Sequence, residues 1–472
     1  MRKKISFLLM SLLLIVSLTS CGGKQMLLFL NWGEYIDEEV LQAFEDKYNC
    51  TVSMDLGESN EIFYSKVRGG TTVYDVVCPS DYMVEKMYMN DMLEELDFSK
   101  FKLSGYNPNS DNIRTGVKKI FDDMDDNLKN KLKDNYKTGT IKNYAVPYLW
   151  GTWGIMYSTE KEGLEKAILS SDNQWSCLFD RNFLPSGTKV AMYDSHQHAY
   201  YAACKYLGYD NNADLPQSKL NTIRETVKNM KYDAWGTDNI KKDIVAGNID
   251  VGFMWTGDFL YYYSENAANI TMEAYLEKDI TLNDVKDMID TLTDSNIREY
   301  KAKNGNTYDI GFDLFIPDDT VAFCDNLVIT KDSANKDLAY KFVDFMSAYQ
   351  TASYINEDES EPISYDEEDT LTPSYSNTYY VDYDAVFVDV YNDIVALKDI
   401  EFEASLDEEF KDEINSGLDP YDSTLYWIFY DYAIGKSFDK YYPIGTTKGS
   451  ILATFTRNYV NTINTTFNNA RA

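Results

Sequence analysis

Residues 26–56 read MLLFLNWGEYIDEEVLQAFEDKYNCTVSMDL, and three periodicities follow one another in them. Met26 to Asn31 is a short, almost wholly apolar run, which predicts a buried strand. Asp37 to Tyr48 places Val40, Leu41, Phe44 and Tyr48 on one helical face. Thr51 to Leu56 alternates Val52, Met54 and Leu56 with polar residues, which predicts a half-buried strand. The pattern continues with a helix over Ile62 to Val67, a strand over Val73 to Cys78 stopped by Pro79, and a helix over Met83 to Leu93. A β-α-β-α-β-α order predicts a mostly parallel sheet with helices on both faces. Ligands bind such sheets beyond the carboxyl ends of the strands. Those loops here are Trp32 to Tyr35, Gly57 to Glu61 and Ser80 to Tyr82.

Further along, a second α/β block begins near Val146-Pro147. It has a strand at Lys189 to Tyr193 and helices at Gln197 to Leu207 and Lys219 to Met230. A helix at Ile240 to Ala246, capped by Gly247, and a strand at Ile249 to Trp255 complete it. Residues 264–309 are polar and hydrophobically irregular, and they read as an insertion. A buried strand returns at Phe323 to Thr330, followed by a helix over Lys336 to Met346. Residues 356–378 read as an exposed acidic loop, and Tyr421 to Asn468 as an aromatic-rich, helical end.

The N-terminus reads as an address. Arg2, Lys3 and Lys4 precede an apolar run, Ile5 to Val16, that is too short for a mature membrane span. Leu18-Thr19-Ser20-Cys21-Gly22 then matches a bacterial lipoprotein signal, with Cys21 as the lipidated residue. No later segment is long and apolar enough to span a bilayer. The expected location is extracytoplasmic, lipid-anchored to the cell membrane.

The chain has 472 residues, 44 Lys+Arg and 77 Asp+Glu, for a formal charge of −33. This excludes a general nucleic-acid binder, which needs a basic surface to neutralise phosphates. Five cysteines follow Cys21, an odd number without a CxxC pair, and they read as small buried hydrophobes. The 2 histidines, His196 and His198, stand two residues apart and cannot share one helical face. No metal or cofactor is implied. Nucleotide, phosphate and hydrolase signatures such as the Walker A loop, GxSxG and HExxH are missing from the sequence.

The positive signal is aromatic residues beside carboxylates at strand ends: Trp32, Glu34 and Tyr35; Ser80, Asp81 and Tyr82; Asp194; Trp255 and Asp258; Phe323 and Asp325. Aromatic faces attract a desolvated cation, and carboxylates pair with ammonium groups. A box of both suits an elongated organic cation. Core packing explains any single one of these aromatics equally well, because the chain holds 39 tyrosines.

Several ordered segments resemble the bacterial spermidine/putrescine-binding proteins, the extracytoplasmic receptors of polyamine ABC importers. They are Asn31-Trp32-Gly33-Glu34-Tyr35, Glu58-Ser59-Asn60-Glu61, and Tyr74 to Tyr82 followed by Val84-Glu85-Lys86-Met87. Pro147 to Thr152, Gly252 to Gly257, Phe323 to Leu327 and Asn335-Lys336-Asp337 continue the match. The resemblance covers residues 27 to about 350 and is weak beyond.

It implies an α/β, two-lobed periplasmic-binding-protein-like fold of type II. Each lobe would be a mixed, mostly parallel sheet flanked by helices, with two hinge crossovers. The implied division is a signal peptide over 1–20, lobe 1 over 21–145 and 319–390, and lobe 2 over 146–318 and 391–472. The resemblance also implies an aromatic box of Trp32, Tyr35, Tyr82 and Trp255, with Phe323 where the family commonly has Trp. Glu34, Asp194 and Asp325 would bind amines, Ser80 would offer a hydroxyl, and Tyr383 matches a family pocket tyrosine. Gln197 replaces a second acidic residue of spermidine-preferring relatives, Gly33 removes a hydroxyl, and Asp81 adds a carboxylate. The expected partners are a polyamine and the membrane subunits of an ABC permease, with the receptor a monomer. The residues alone leave two other readings: the same fold with a sugar or another solute, and a secreted hydrolase using paired carboxylates.

Overall fold

The computed structural model describes residues 24–33, 35–36, 38–104, 106–108, 143–211, 213–237, 239–294, 297–347, 350–351, 371–372, 400–441, 450–451 and 455–471. Expectations for Cys21, Glu34, Tyr383 and most of the acidic stretch 356–378 fall outside them.

Strand β1 (Gln25–Asn31) forms where the apolar run was read, and Leu27, Phe29 and Leu30 are fully buried. It lies between β2 (Cys50–Leu56) and β3 (Val76–Val77), parallel to both. Helix α1 (Glu38–Tyr48) returns the chain from β1 to β2. Its Phe44 packs on Phe342 and Phe345 at 5.0 and 5.4 Å between ring centroids. Helix α2 (Asn60–Gly69) is capped by the Ser59 hydroxyl at its start and by Gly70 at φ +64° at its end. Helix α3 (Asp81–Met89) follows β3. β3 is shorter than the run Val73 to Cys78, and Val73 is exposed. Bonds from the Asp75 N–H to the Leu28 carbonyl and from the Cys78 N–H to the Leu30 carbonyl still tie its ends to β1.

Strand β4 (Val146–Ser158) is 13 residues long and belongs to both halves of the molecule. Its first part pairs with the returning strand, and its second part, from Trp153 onward, pairs with the second block. That block contains α4 (Leu164–Leu169), α5 (Ser176–Phe179), β5 (Val190–Tyr193), α6 (His196–Leu207), α7 (Gln217–Met230), β6 (Ala234–Gly236), α8 (Asn239–Val245) and β7 (Val251–Trp255). On α7, Leu220, Ile223, Val227 and Met230 all face the core, as their spacing predicts.

Residues 264–309 are not irregular. They continue α9 (Thr256–Leu276), form α10 (Leu282–Thr293), and close with the hairpin β8 (Glu299–Lys301) and β9 (Thr307–Asp309). Helix α9 buries Ser264, Ala267, Ala268 and Thr271. Their small side chains carry no strong hydrophobic period, whereas α10 carries a clear one in Leu282, Val285, Met288, Ile289 and Leu292, all buried, which the reading of this stretch as irregular passed over.

Strand β10 (Phe312–Phe315) pairs with the far end of β4. β11 (Val321–Ile329), buried at all nine positions, then returns antiparallel to β4 and β3. Helix α11 (Lys336–Ser347) packs behind it. Beyond lie β12 (Gln350–Thr351), β13 (Leu371–Thr372), α12 (Ile400–Ser416), α13 (Thr424–Tyr441), β14 (Ser450–Ile451) and α14 (Arg457–Arg471). The main sheet runs β2-β1-β3-β11-β4-β7-β5-β6, with β10 on β4 and β14 on β11. Two parallel-stranded groups are thus joined through two antiparallel central strands. The carboxyl ends of β1, β3, β5 and β7 carry the segments singled out in the sequence.

Candidate ligand-binding site

Asp325 sits in mid-strand on β11, 4% exposed, where the register with β4 shifts between Asp325 and Asn326. The irregularity turns its carboxylate toward the end of β3. The Ser80 hydroxyl donates to one oxygen at 2.5 Å, and the Tyr35 hydroxyl donates to the other at 2.7 Å. Ser80 occupies the N-cap position of α3 but makes no capping bond with its side chain. Its hydroxyl is committed to Asp325 instead. The Asn60 side chain fixes Ser80 from both sides, donating to its Oγ at 2.9 Å and accepting from its N–H at 3.0 Å.

Asp81, the first residue of α3, is 2% exposed, and neither carboxylate oxygen has a hydrogen-bond partner. The backbone N–H groups of Tyr82, Cys324 and Asp81 itself point toward it without completing a hydrogen bond. Burial, and then the neighbouring charge of Asp325, push its acid up to about 8. Asp325 is pushed up to about 7 by burial, tempered by the bonds from Ser80 and Tyr35. Two buried acids side by side, one without donors, suit a group that brings positive charge and several N–H donors. An ammonium does both.

Of the rings, Tyr35 touches the pair directly through its bond to Asp325. Trp32 stacks on Phe63 at 4.4 Å, and its indole N–H has no partner among the described residues. Tyr35 meets Tyr148 edge-on at 6.3 Å. Trp255 contacts Phe323 at 4.6 Å and donates from its indole to the Tyr193 hydroxyl at 3.2 Å. Phe323 belongs to β11, which links the halves, and Trp255 ends a strand of the second half, so the aromatic contacts reach across the central strands.

Glu61 was quoted within a motif but not singled out as a site residue. It accepts hydrogen bonds from the Gln197 amide, across from α6, and from the Tyr82 hydroxyl at 3.4 Å. Burial raises its acid. Its position at the carboxyl end of β2 was the available signal, equal in kind to the signal that selected Ser80 and Asp81. Gln197 therefore meets a carboxylate of the other half.

Two expected residues have other partners. Asp194 forms an ion pair with Arg471 on α14, whose guanidinium lies 3.7 Å from the Trp235 ring centroid. Asp258 pairs with Lys241 at 3.0 Å, and that lysine is 2% exposed. His198 is buried against Trp153, Tyr193 and Trp255, and neither ring nitrogen has a partner. Burial lowers its pKa to about 3, so it stays neutral. The five described cysteines are all buried, and none forms a disulfide with another. No cluster of three or more His, Cys, Asp or Glu among the described residues is arranged to hold a metal, and no described helix is long and apolar enough to cross a membrane.

Comparison with known proteins agrees with this layout. The model of a family described as hypothetical lipoprotein (MG045 family) matches residues 1–183. The putrescine-binding periplasmic protein PotF of Escherichia coli is 23% identical over 367 residues, covering 75% of this chain and 82% of that protein. A putrescine/cadaverine-binding protein of Pseudomonas aeruginosa is 26% identical over 355 residues, covering 73% and 82%. Among solved structures, one named for a spermidine/putrescine ABC transporter from Listeria monocytogenes superposes with a TM-score of 0.52. It is 19% identical and covers 95% of this chain and 99% of its own. In sequence the chain is similar to proteins named as bacterial putrescine- and spermidine-binding periplasmic proteins, and its fold is of the type II periplasmic-binding-protein kind.

Proposed function

We propose that the chain is the substrate-binding lipoprotein of an ABC importer and captures a polyamine, spermidine or putrescine, between its two halves. The observation that carries this reading is the buried pair Asp81 and Asp325, with no side chain donating to Asp81 and the Tyr35 hydroxyl bonded to Asp325; the Trp32, Tyr82, Trp255 and Phe323 rings belong to the same strand ends. One ammonium end sits between the two acids. The methylene chain runs along the rings, whose faces also attract the charge. Glu61 and Gln197 approach from opposite halves, so closure over the ligand adds contacts that the open form lacks. Glu34 and Tyr383 complete the expected set, and Asp194 would have to exchange Arg471 for the amine. The relatives named as binding proteins support a receptor that performs no chemistry.

In this reading lobe 1 takes 21–145 and 319–390, and lobe 2 takes 146–318 and 391–472. Cys21 carries the lipid that holds a monomeric receptor at the outer side of the cell membrane, where it delivers ligand to a permease.

The test is isothermal titration of protein that has been unfolded and refolded to remove carried-over ligand. Spermidine, putrescine and spermine are each added in turn. Saturable one-to-one binding of at least one amine is the expected result. Absence of heat with all three, from folded protein, removes polyamine as the ligand. Turnover of chromogenic glycosides would instead favour the hydrolase reading.

A further inference from the structure

Helices α9 and α13 pack together on the second half, away from the acids described above. Where they end, the surface is apolar. Leu276 is 40% exposed, Leu418 38%, Tyr421 38% and Trp427 50%. Rings connect them: Tyr421 to Tyr426 at 5.8 Å, Tyr426 to Trp427 at 5.5 Å, and Trp427 to Tyr430 at 5.6 Å. An exposed tryptophan joined to tyrosines is the composition of a contact surface rather than of ordinary solvent-facing helix.

The charge around these rings has one sign. Glu273, Glu277 and Asp419 act on the Tyr421 hydroxyl, and Glu265 and Asp422 act on that of Tyr426. Neither residues 256–277 nor residues 412–435 contain a lysine or arginine. That charge decides the occupant. A second copy would bring the same acidic face. The chain's own stretch 357–369 holds eight carboxylates and no lysine or arginine, so it is repelled as well. An anionic lipid surface is repelled for the same reason. A basic segment is attracted, and arginine fits best, because a guanidinium stacks on aromatic faces while pairing with carboxylates.

We propose that this face of α9, α13 and the turn between α12 and α13 is a docking surface for an arginine-bearing segment of a partner protein. Trp427 and Tyr421 supply the stacking platforms, and the flanking carboxylates steer and hold the guanidinium groups. The inference does not depend on which ligand occupies the cleft.

The probe is a fluorescein-labelled hexa-arginine peptide, followed by anisotropy in 150 mM salt. Purified protein is compared with Trp427→Ala/Tyr421→Ala, with Glu273→Gln/Glu277→Gln, and with Met89→Ala/Leu169→Ala as a control for exposed apolar residues elsewhere. Saturable binding is expected, weakened at least tenfold by each of the first two pairs and unchanged by the control. The glutamate pair is exposed, so it tests the surface even if the aromatic pair unfolds the helix. Equal affinity in all four proteins overturns the proposal, because the attraction then belongs to the whole acidic molecule. Loss of protein dimers in the Trp427→Ala/Tyr421→Ala variant also overturns it, in favour of a second copy.

Discussion

Asp81 and Asp325 are buried acids close enough to act on each other, yet only one of them is hydrogen-bonded by side chains. Two outcomes follow for single residues. Asp325→Asn is expected to weaken putrescine binding by about 2–5 kcal/mol, since it removes one partner of a desolvated charge pair. Asp258→Asn should change it far less, because Lys241 already neutralises that carboxylate. Titration calorimetry on the two variants decides this, and equal small effects would sink the assignment of Asp325. The second outcome concerns protons. Burial pushes Asp81 up to about 8 and Asp325 up to about 7, so at neutral pH the ligand-free pair still holds a proton. An ammonium between them favours the carboxylates, and binding therefore releases protons. Affinity should fall as pH drops below about 8, by at most about tenfold per pH unit for each acid. Calorimetry in two buffers of different ionisation enthalpy counts the protons; no difference between the buffers would refute the coupling.

At the scale of elements, much of the architecture was legible in the sequence. β1 stands out as a short apolar run, α1 and α7 by a clean period in their apolar residues, and each formed within a residue or two of its expected span. β3 was read too long, because Val73 extends the apolar run but faces solvent. The misreading of 264–309 has a different cause. α9 packs on α13, where its Ser264 hydroxyl contacts that of Ser437 at 3.3 Å, and the next turns of α9 bury Ala267, Ala268 and Thr271. Small residues that allow close helix approach do not look hydrophobic in sequence. Ala267→Leu should therefore overpack this contact and cost about 1–3 kcal/mol, seen as a lower urea midpoint. An unchanged midpoint would mean that the helices are not held as closely as described. The same blindness applies to the site. Trp32, Ser80 and Asp325 stood out by type and place, whereas Glu61 gained its role only when the fold brought Gln197 to it.

Across the whole molecule, β4 and β11 are shared by both halves, and the contact between Glu61 and Gln197 spans the space between them. Gln197→Glu would set two acids against each other there. The ligand-free variant is expected to open, with a larger radius of gyration by small-angle X-ray scattering, and an amine should close it again. No change in the scattering curve would show that this contact does not hold the halves together. The buried thiols extend the same theme. Among the described residues, Cys50 and Cys78 lie in the first half, Cys177 and Cys204 in the second, and Cys324 on the strand between, all five buried and outside any disulfide. None is reachable by a water-soluble thiol reagent until its surroundings come apart. The chain thus carries five internal clocks. The order in which a reagent marks them, read by mass spectrometry of its peptides, reports which half yields first under heat or denaturant. A bound amine should slow those nearest the cleft, Cys78 and Cys324, more than the distant Cys177.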